Sequence, residues 1–219
     1  MKIVSVNVGM PREITWKGIR VQTGIFKRPV DGPVAIGKLN LAGDKQADLT
    51  VHGGAEKAVY AYPAEHYEYW RNELPNVALA WGVFGENLTT EGLQEDALYI
   101  GDRLRIGSAI LTVTQPRMPC YKLALKFDRD DMIKRFLMSG RSGFYFSVIE
   151  PGEVGVGAMV EILTRDRCRV TVTDIMRLYL GQTRDPELLQ RATNVSALPD
   201  NWKAQMLLRA QMHVGDSHS

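Results

Sequence analysis

Apolar positions alternate with polar ones in short runs over most of the chain, and the period changes to a helical one after about residue 166. Ile3, Val4, Val6 and Val8 predict a first strand, ended by Gly9 and Pro11. Residues 19–26, with Val21 and Ile25 prominent, predict a second, and residues 34–41 a third. A polar loop from Gly43 then runs into an apolar strand reaching Tyr62. Pro63 suits the first turn of a helix that continues to Leu74 and places Tyr67, Trp70 and Leu74 on one face. Residues 98–107 predict a hairpin turning at Gly101-Asp102, and residues 109–114 a further strand. Met132, Ile133, Phe136 and Leu137 fall at helical spacing in a mixed helical region ending near Met138. Residues 144–149 and 159–163 predict strands on either side of a turn-rich link.

Beyond this the pattern predicts the end of a strand at residues 170–172, then a helix capped by Thr173 or Asp174 and stopped by Gly181. Asp185-Pro186 opens a second helix and Pro199-Asp200 a third, with Trp202, Met206 and Leu207 placed to pack. The expected organisation is a β-rich mixed α/β domain over residues 1–165 and a small three-helix bundle over residues 166–219.

Composition narrows the function classes. Hydrophobic residues make up 45% and charged residues 24%, as in ordinary globular proteins. A net charge of +2 argues against polymeric nucleic acid or membrane as a partner, so an anion site must be local. Two cysteines, Cys120 and Cys168, cannot build a disulfide framework or an iron–sulfur cluster. The N-terminus lacks the apolar core of a signal peptide and no stretch is long enough to span a bilayer, so a reducing cytoplasm is the expected location.

Two stretches carry candidate chemistry. In Gln115-Pro116-Arg117-Met118-Pro119-Cys120-Tyr121-Lys122 a thiol stands between two cations, and nearby positive charge favours the nucleophilic, metal-binding thiolate. Pro116 and Pro119 break regular structure there. The alternative is a small thiol used as packing. In residues 43–62, Gly53-Gly54 offers unhindered N–H groups, His52 can ligate or shuttle a proton, and Lys57 can meet a phosphate. Asp44 and Asp48 fit turns equally well. Lys27-Arg28 at a strand end and Arg141 in a glycine-flanked loop are further cations able to reach a ligand or to remain solvated.

Taken in order, Gly43-Asp44, Gln46-Ala47-Asp48, His52-Gly53-Gly54, Lys57-Ala58-Val59-Tyr60, Phe84-Gly85-Glu86-Asn87-Leu88, Gly101-Asp102, Gln115-Pro116-Arg117, Pro119-Cys120 and Gly140 to Tyr145 resemble the MOSC domain. That family is named for the C-terminal region of molybdenum cofactor sulfurases. Lys27, Pro29 and the helical C-terminus are similar to its YiiM-like branch. The resemblance implies a barrel-like core with inserted helices, and binding of a molybdenum–pterin cofactor with Cys120 as metal ligand. It implies a phosphate cradle drawn from Lys27, Gly53, Gly54, Lys57, Arg117 and Arg141, with Lys122 as a substitute for Arg117. It further implies reduction of N-hydroxylated compounds, such as 6-hydroxylaminopurine, by oxygen-atom transfer, with His52 or Asp48 supplying a proton. Electrons would come from a separate reductase. Pyridoxal phosphate ranks behind the molybdenum cofactor, because the chain is too short for the second domain that carries it in some relatives. A metal-free cysteine enzyme and a non-catalytic pterin or sulfur carrier remain the alternatives.

Overall fold

The computed structural model describes residues 1–47 and 53–215. Its first half contains β1 (Lys2–Val8), β2 (Arg12–Trp16), β3 (Ile19–Thr23), β4 (Arg28–Pro29), β5 (Val34–Ile36), β6 (Val59–Pro63), α1 (His66–Glu73) and β7 (Leu88–Glu91). There follow β8 (Arg103–Ile106), β9 (Ala109–Pro116), α2 (Tyr121–Phe127), α3 (Met132–Met138), β10 (Phe144–Glu150), β11 (Gly152–Val154) and β12 (Val160–Thr164). Helices α4 (Val172–Tyr179), α5 (Pro186–Asn194) and α6 (Asp200–Gly215) complete the described chain.

Eight strands form one sheet in the order β12-β8-β9-β10-β6-β7-β1-β4, antiparallel throughout except for the β6–β7 pair. Lys2 at the start of β1 bridges Met159, and the N–H of Val160 donates to the carbonyl of Met1 at 3.0 Å. The sheet is thus drawn round on itself by an isolated bridge, and the expected barrel is met only loosely. The β-rich, mixed class is as expected.

Strand β9 is buried at all but one position, because both faces of the sheet are covered. One apolar cluster joins Ile3, Leu111, Val113 and Phe146 to Ile175, Leu188, Trp202 and Met206, so the C-terminal helices share a core with the sheet. A second, aromatic cluster packs Tyr62, Tyr67, Trp70 and Phe84 against Phe127 and Phe136 of the α2–α3 region. The helices begin as their residues dictate. Asp185 accepts from the N–H groups of Glu187 and Leu188 ahead of Pro186, and Thr171 and Asp174 form a reciprocal capping box on α4.

Several boundaries differ from the pattern. The predicted strand at residues 170–172 is replaced by that cap, with Thr171 making only an isolated bridge to Tyr99. The β8–β9 hairpin turns at Gly107, not at Gly101-Asp102; a Cβ at Gly107 would meet the carbonyl oxygen of Glu153 at 2.1 Å. Asp102 instead accepts from the N–H groups of Tyr99 (3.0 Å) and Asp166 (2.9 Å) and from Arg165 (2.8 Å), pinning the segment that leads to the C-terminal helices. The third predicted strand shortens to β5, since Ile36 bridges Leu41 across a turn. The hairpin β2–β3, turning at Lys17-Gly18, lay partly in residues without a clear alternation. No helix among the described residues is long and apolar enough to cross a membrane.

Candidate active site

Strand β9 carries the chain to Pro116, and the irregular residues 117–119 deliver Cys120 to the N-cap position of α2 in an extended conformation. Its carbonyl accepts from the N–H of Leu123 at 2.8 Å, the first turn of the helix. The two prolines act as expected: they end the strand and prevent the helix from beginning earlier.

Cys120 lines an open cleft of about 660 Å³ with Lys27, Lys45, Lys57, Arg117 and Lys122, and Asp44 is the acidic member among the described lining residues. The net charge of the chain is small, but here cations converge. Arg117 is only 6% exposed. Its guanidinium lies over the rings of Tyr60 at 5.0 Å and Phe136 at 5.1 Å, and its Nη1 has no hydrogen-bond partner among the described residues. Burial works against its charge, but the neighbouring Tyr60, Tyr145 and Cys120 outweigh it, so the pKa ends above its ordinary value. A buried cation with an unused N–H is costly unless an acceptor arrives, and a bound oxyanion is the natural acceptor.

Lys27 is engaged differently. Its side chain, 8% exposed, is ion-paired with Asp44. Asp44 is itself held by the N–H of Gly9 (2.9 Å) and the side-chain amide of Asn87 (2.8 Å). Burial lowers the Lys27 pKa, and Asp44 only partly restores it. Lys27 therefore lines the cleft with its charge already compensated, which weakens its claim on an added anion.

The other expected site residues fall into three groups. Lys57 ends a short 3₁₀ turn, Ala55–Lys57, whose Glu56 carbonyl accepts from Thr114 Oγ1 (2.6 Å) and Gln115 Nε2 (3.3 Å); this fastens Lys57 beside the end of β9. Gly53 and Gly54 lead into that turn, and Gly54 has φ of 98°, a value that favours glycine, but neither lines the cleft. Arg141 is also absent from its lining: the guanidinium lies 3.9 Å over the Tyr69 ring and donates to the Ser139 carbonyl at 2.8 Å. The reason is local, since the Tyr69 ring on α1 offers a nearer partner than the cleft. Asp48 and His52 lie outside the described residues.

Residues not singled out as site groups complete the cleft. Tyr60 and Tyr145 form part of its wall, and burial raises both phenol pKa values, so both keep their protons at neutral pH. Tyr60 donates to the Ser142 carbonyl at 2.8 Å, and the N–H of Arg117 donates to the neighbouring Gly143 carbonyl at 3.3 Å. Glu86 is a buried hub that accepts from Tyr67, from the Gly82 N–H (2.8 Å) and from Thr89 (3.1 Å). Among the described residues no group of three or more His, Cys, Asp or Glu could hold a metal.

The MOSC domain model matches residues 48–161, and the model for the "YiiM-like, 3-alpha helix domain" matches residues 170–209. The chain is 40% identical over 205 residues to YflK of Bacillus subtilis (strain 168), covering 94% of this chain and 92% of that one. It is 39% identical over 189 residues to Protein YiiM of Escherichia coli (strain K12), covering 85% and 84%. A protein of Gibberella moniliformis named "Reductase" is 32% identical over 181 residues, covering 81% of this chain but 32% of that protein. The crystal structure of YiiM from Geobacillus stearothermophilus superposes with a TM-score of 0.78 at 35% identity, covering 95% of this chain and 98% of that one.

Proposed function

We propose, starting from the fact that this chain belongs to the MOSC domain family in its YiiM-like branch, that it is a molybdenum cofactor-dependent reductase of N-hydroxylated compounds, N-hydroxylated purine bases foremost. The observation that carries this reading is the buried Arg117, whose Nη1 has no partner among the described residues, in the same cleft as Cys120. The residues present fit the group. A thiolate suits a soft metal already bound by dithiolene sulfurs, and Arg117, Lys57 and Lys122 suit the pterin phosphate. When bound, the cofactor supplies the two-electron cleavage of an N–O bond.

The chain's own residues do the rest. Cys120 is the metal ligand, held at the strand-to-helix break so that it faces the cleft. Arg117 fixes the anionic end of the cofactor, its fork kept in place by the Tyr60 and Phe136 rings. The reaction converts an N–OH group, two electrons and two protons into an amine and water. Asp48 or His52 delivers a proton in this reading. Tyr145, which also lines the cleft and stays protonated, can donate a hydrogen bond to the departing oxygen. Two cysteines cannot ligate an iron–sulfur cluster, so the electrons come from a separate reductase, in a reducing cytoplasm. The relative named "Reductase" supports the reductive direction.

The test is expression in a cofactor-producing host, metal analysis, and an assay with 6-hydroxylaminopurine. We expect close to one molybdenum per chain, and turnover abolished by Cys120→Ser with an unchanged circular dichroism spectrum. A chain that carries no molybdenum, or a Cys120→Ser variant that still turns over, overturns the proposal.

A further inference from the structure

Cys120 is shared by two clefts. The second, about 950 Å³, lies between the end of β9 and the C-terminal helices, and Lys57, Met118 and Tyr145 also belong to both. Their chemistry differs sharply. Among its described lining residues the second cleft has one ionic side chain, Lys57; the helices contribute Tyr179, Asn201, Trp202 and Gln205. Proline, methionine, tyrosine and tryptophan surface mixes there with neutral polar groups, a lining able to take a small molecule that has both faces and polar edges.

The wall is rigid. The Trp202 and Tyr179 rings meet with centroids 4.8 Å apart, the Arg209 guanidinium lies 4.3 Å over Tyr179, and Trp202 donates to Gln115. Asn201 and Gln205 stand one turn apart on α6, hence on one face, and both are exposed. Each offers an amide donor and acceptor, and no partner for either is found among the described residues.

We propose that this second lobe binds an uncharged, planar heteroaromatic ligand, whose hydrogen-bonding edge is read by Asn201 and Gln205. The cationic lobe takes an anion and the neutral lobe takes the ring, and the Cys120 thiol stands where the two meet. The proposal rests on the reductase reading only in making the ring a substrate; the binding claim stands without it. It gives the C-terminal helices a direct part in specificity.

The probes are adenine for the neutral lobe and inorganic phosphate for the cationic one, titrated calorimetrically into the full chain. Losing two amide contacts in the Asn201→Ala, Gln205→Ala double variant should weaken adenine at least about tenfold and leave phosphate within about twofold. Adenine that binds the double variant as tightly as the wild type, or fails to bind either, overturns the proposal. So does an equal loss of both ligands. If no N-hydroxylated compound is turned over but adenine binding depends on Asn201 and Gln205, the reductase reading fails and the lobe assignment holds. If turnover is seen without that dependence, the lobe assignment alone is wrong.

Discussion

The indole Nε1 of Trp202 donates to Oε1 of Gln115 at 2.5 Å, across 87 residues of sequence. This bond ties α6 to the last residues of β9 before the Arg117–Cys120 segment, so the C-terminal helices position the site as well as packing on the sheet. Trp202 is 5% exposed, and its loss should be felt in two stages. Trp202→Phe keeps most of the apolar area but leaves a buried acceptor unpaired, an expected cost of about 1–2 kcal/mol. Trp202→Ala adds a cavity and should cost about 3–5 kcal/mol. Urea midpoints at constant slope measure both. A Phe variant as stable as the wild type would show the bond to be energetically idle.

Arg117 and Arg141 separate by environment, one buried with an unused N–H in the cleft and the other laid over Tyr69. Arg117→Ala should therefore weaken phosphate binding at least about tenfold, and Arg117→Lys should not restore it, because an ammonium lacks the fork. Arg141→Ala should stay within about twofold of wild type in the same titration. A larger loss at Arg141 than at Arg117 would relocate the anion site to the 140–143 loop.

Burial and the nearby Asp166 raise the Cys168 thiol pKa, with Arg191 opposing only weakly. A thiol held protonated is a poor nucleophile near neutral pH. In a Cys120→Ser background, alkylation of Cys168 should keep accelerating beyond the pH at which an unperturbed thiol levels off. Cys168→Ser should leave turnover close to wild type. Rapid labelling of Cys168 at pH 7 would contradict the assignment.

Much of the fold was legible because its signals are local. Asp185-Pro186 announces a helix start through one side chain and one ring, and the alternation of residues 109–114 survives as β9. The Arg117–Cys120 segment was legible too, since prolines, cations and a thiol stand within a few residues. What the chain did not disclose depends on distant partners. Arg141 looks as available as Arg117 until Tyr69 is folded beneath it. Lys27 looks like a ligand for anions until Asp44, 17 positions on, neutralises it. The second cleft joins β9 to residues more than 60 positions later, and no periodicity reports such a junction.

Glu86 is the buried carboxyl whose titration should be visible in stability. Burial raises its pKa above the ordinary 4.5, only partly opposed by the hydrogen bonds from Tyr67, Gly82 and Thr89, and its Oε2 has no partner among the described residues. A raised folded pKa means stability is fully present below 4.5 and is lost as pH rises through the folded value. Relative to Glu86→Gln, the wild type should lose stability with rising pH at no more than about 1.4 kcal/mol per unit. Parallel pH profiles for the two proteins would show that Glu86 does not titrate in this window.

Gly143 has φ of +62°, and a Cβ there would meet the Ala61 carbonyl oxygen at 2.5 Å and the Tyr60 and Tyr62 rings at 2.8 Å. Backbone and two packed aromatic rings leave no room to yield. Gly143→Ala should cost at least about 2–3 kcal/mol. Because its carbonyl accepts from the Arg117 N–H, phosphate affinity should fall in the fraction that still folds. A variant with unchanged melting and phosphate binding would show that the loop relaxes without strain.

The bridge between Lys2 and Met159 has a consequence for biosynthesis. The outer edge of β1 is paired in two steps: its Asn7–Val8 end meets β4 at Arg28–Pro29, whereas its Lys2 end must wait for Met159. Its inner edge waits for β7 at Leu88–Glu91. The Lys2 end of β1 thus keeps an unpaired outer edge until the segment around Met159 has been made, exposed to association with other nascent chains. The late arrival of Met159 sets the earliest moment at which that hazard ends, and slow, long-range pairing makes this end of β1 among the last to be secured.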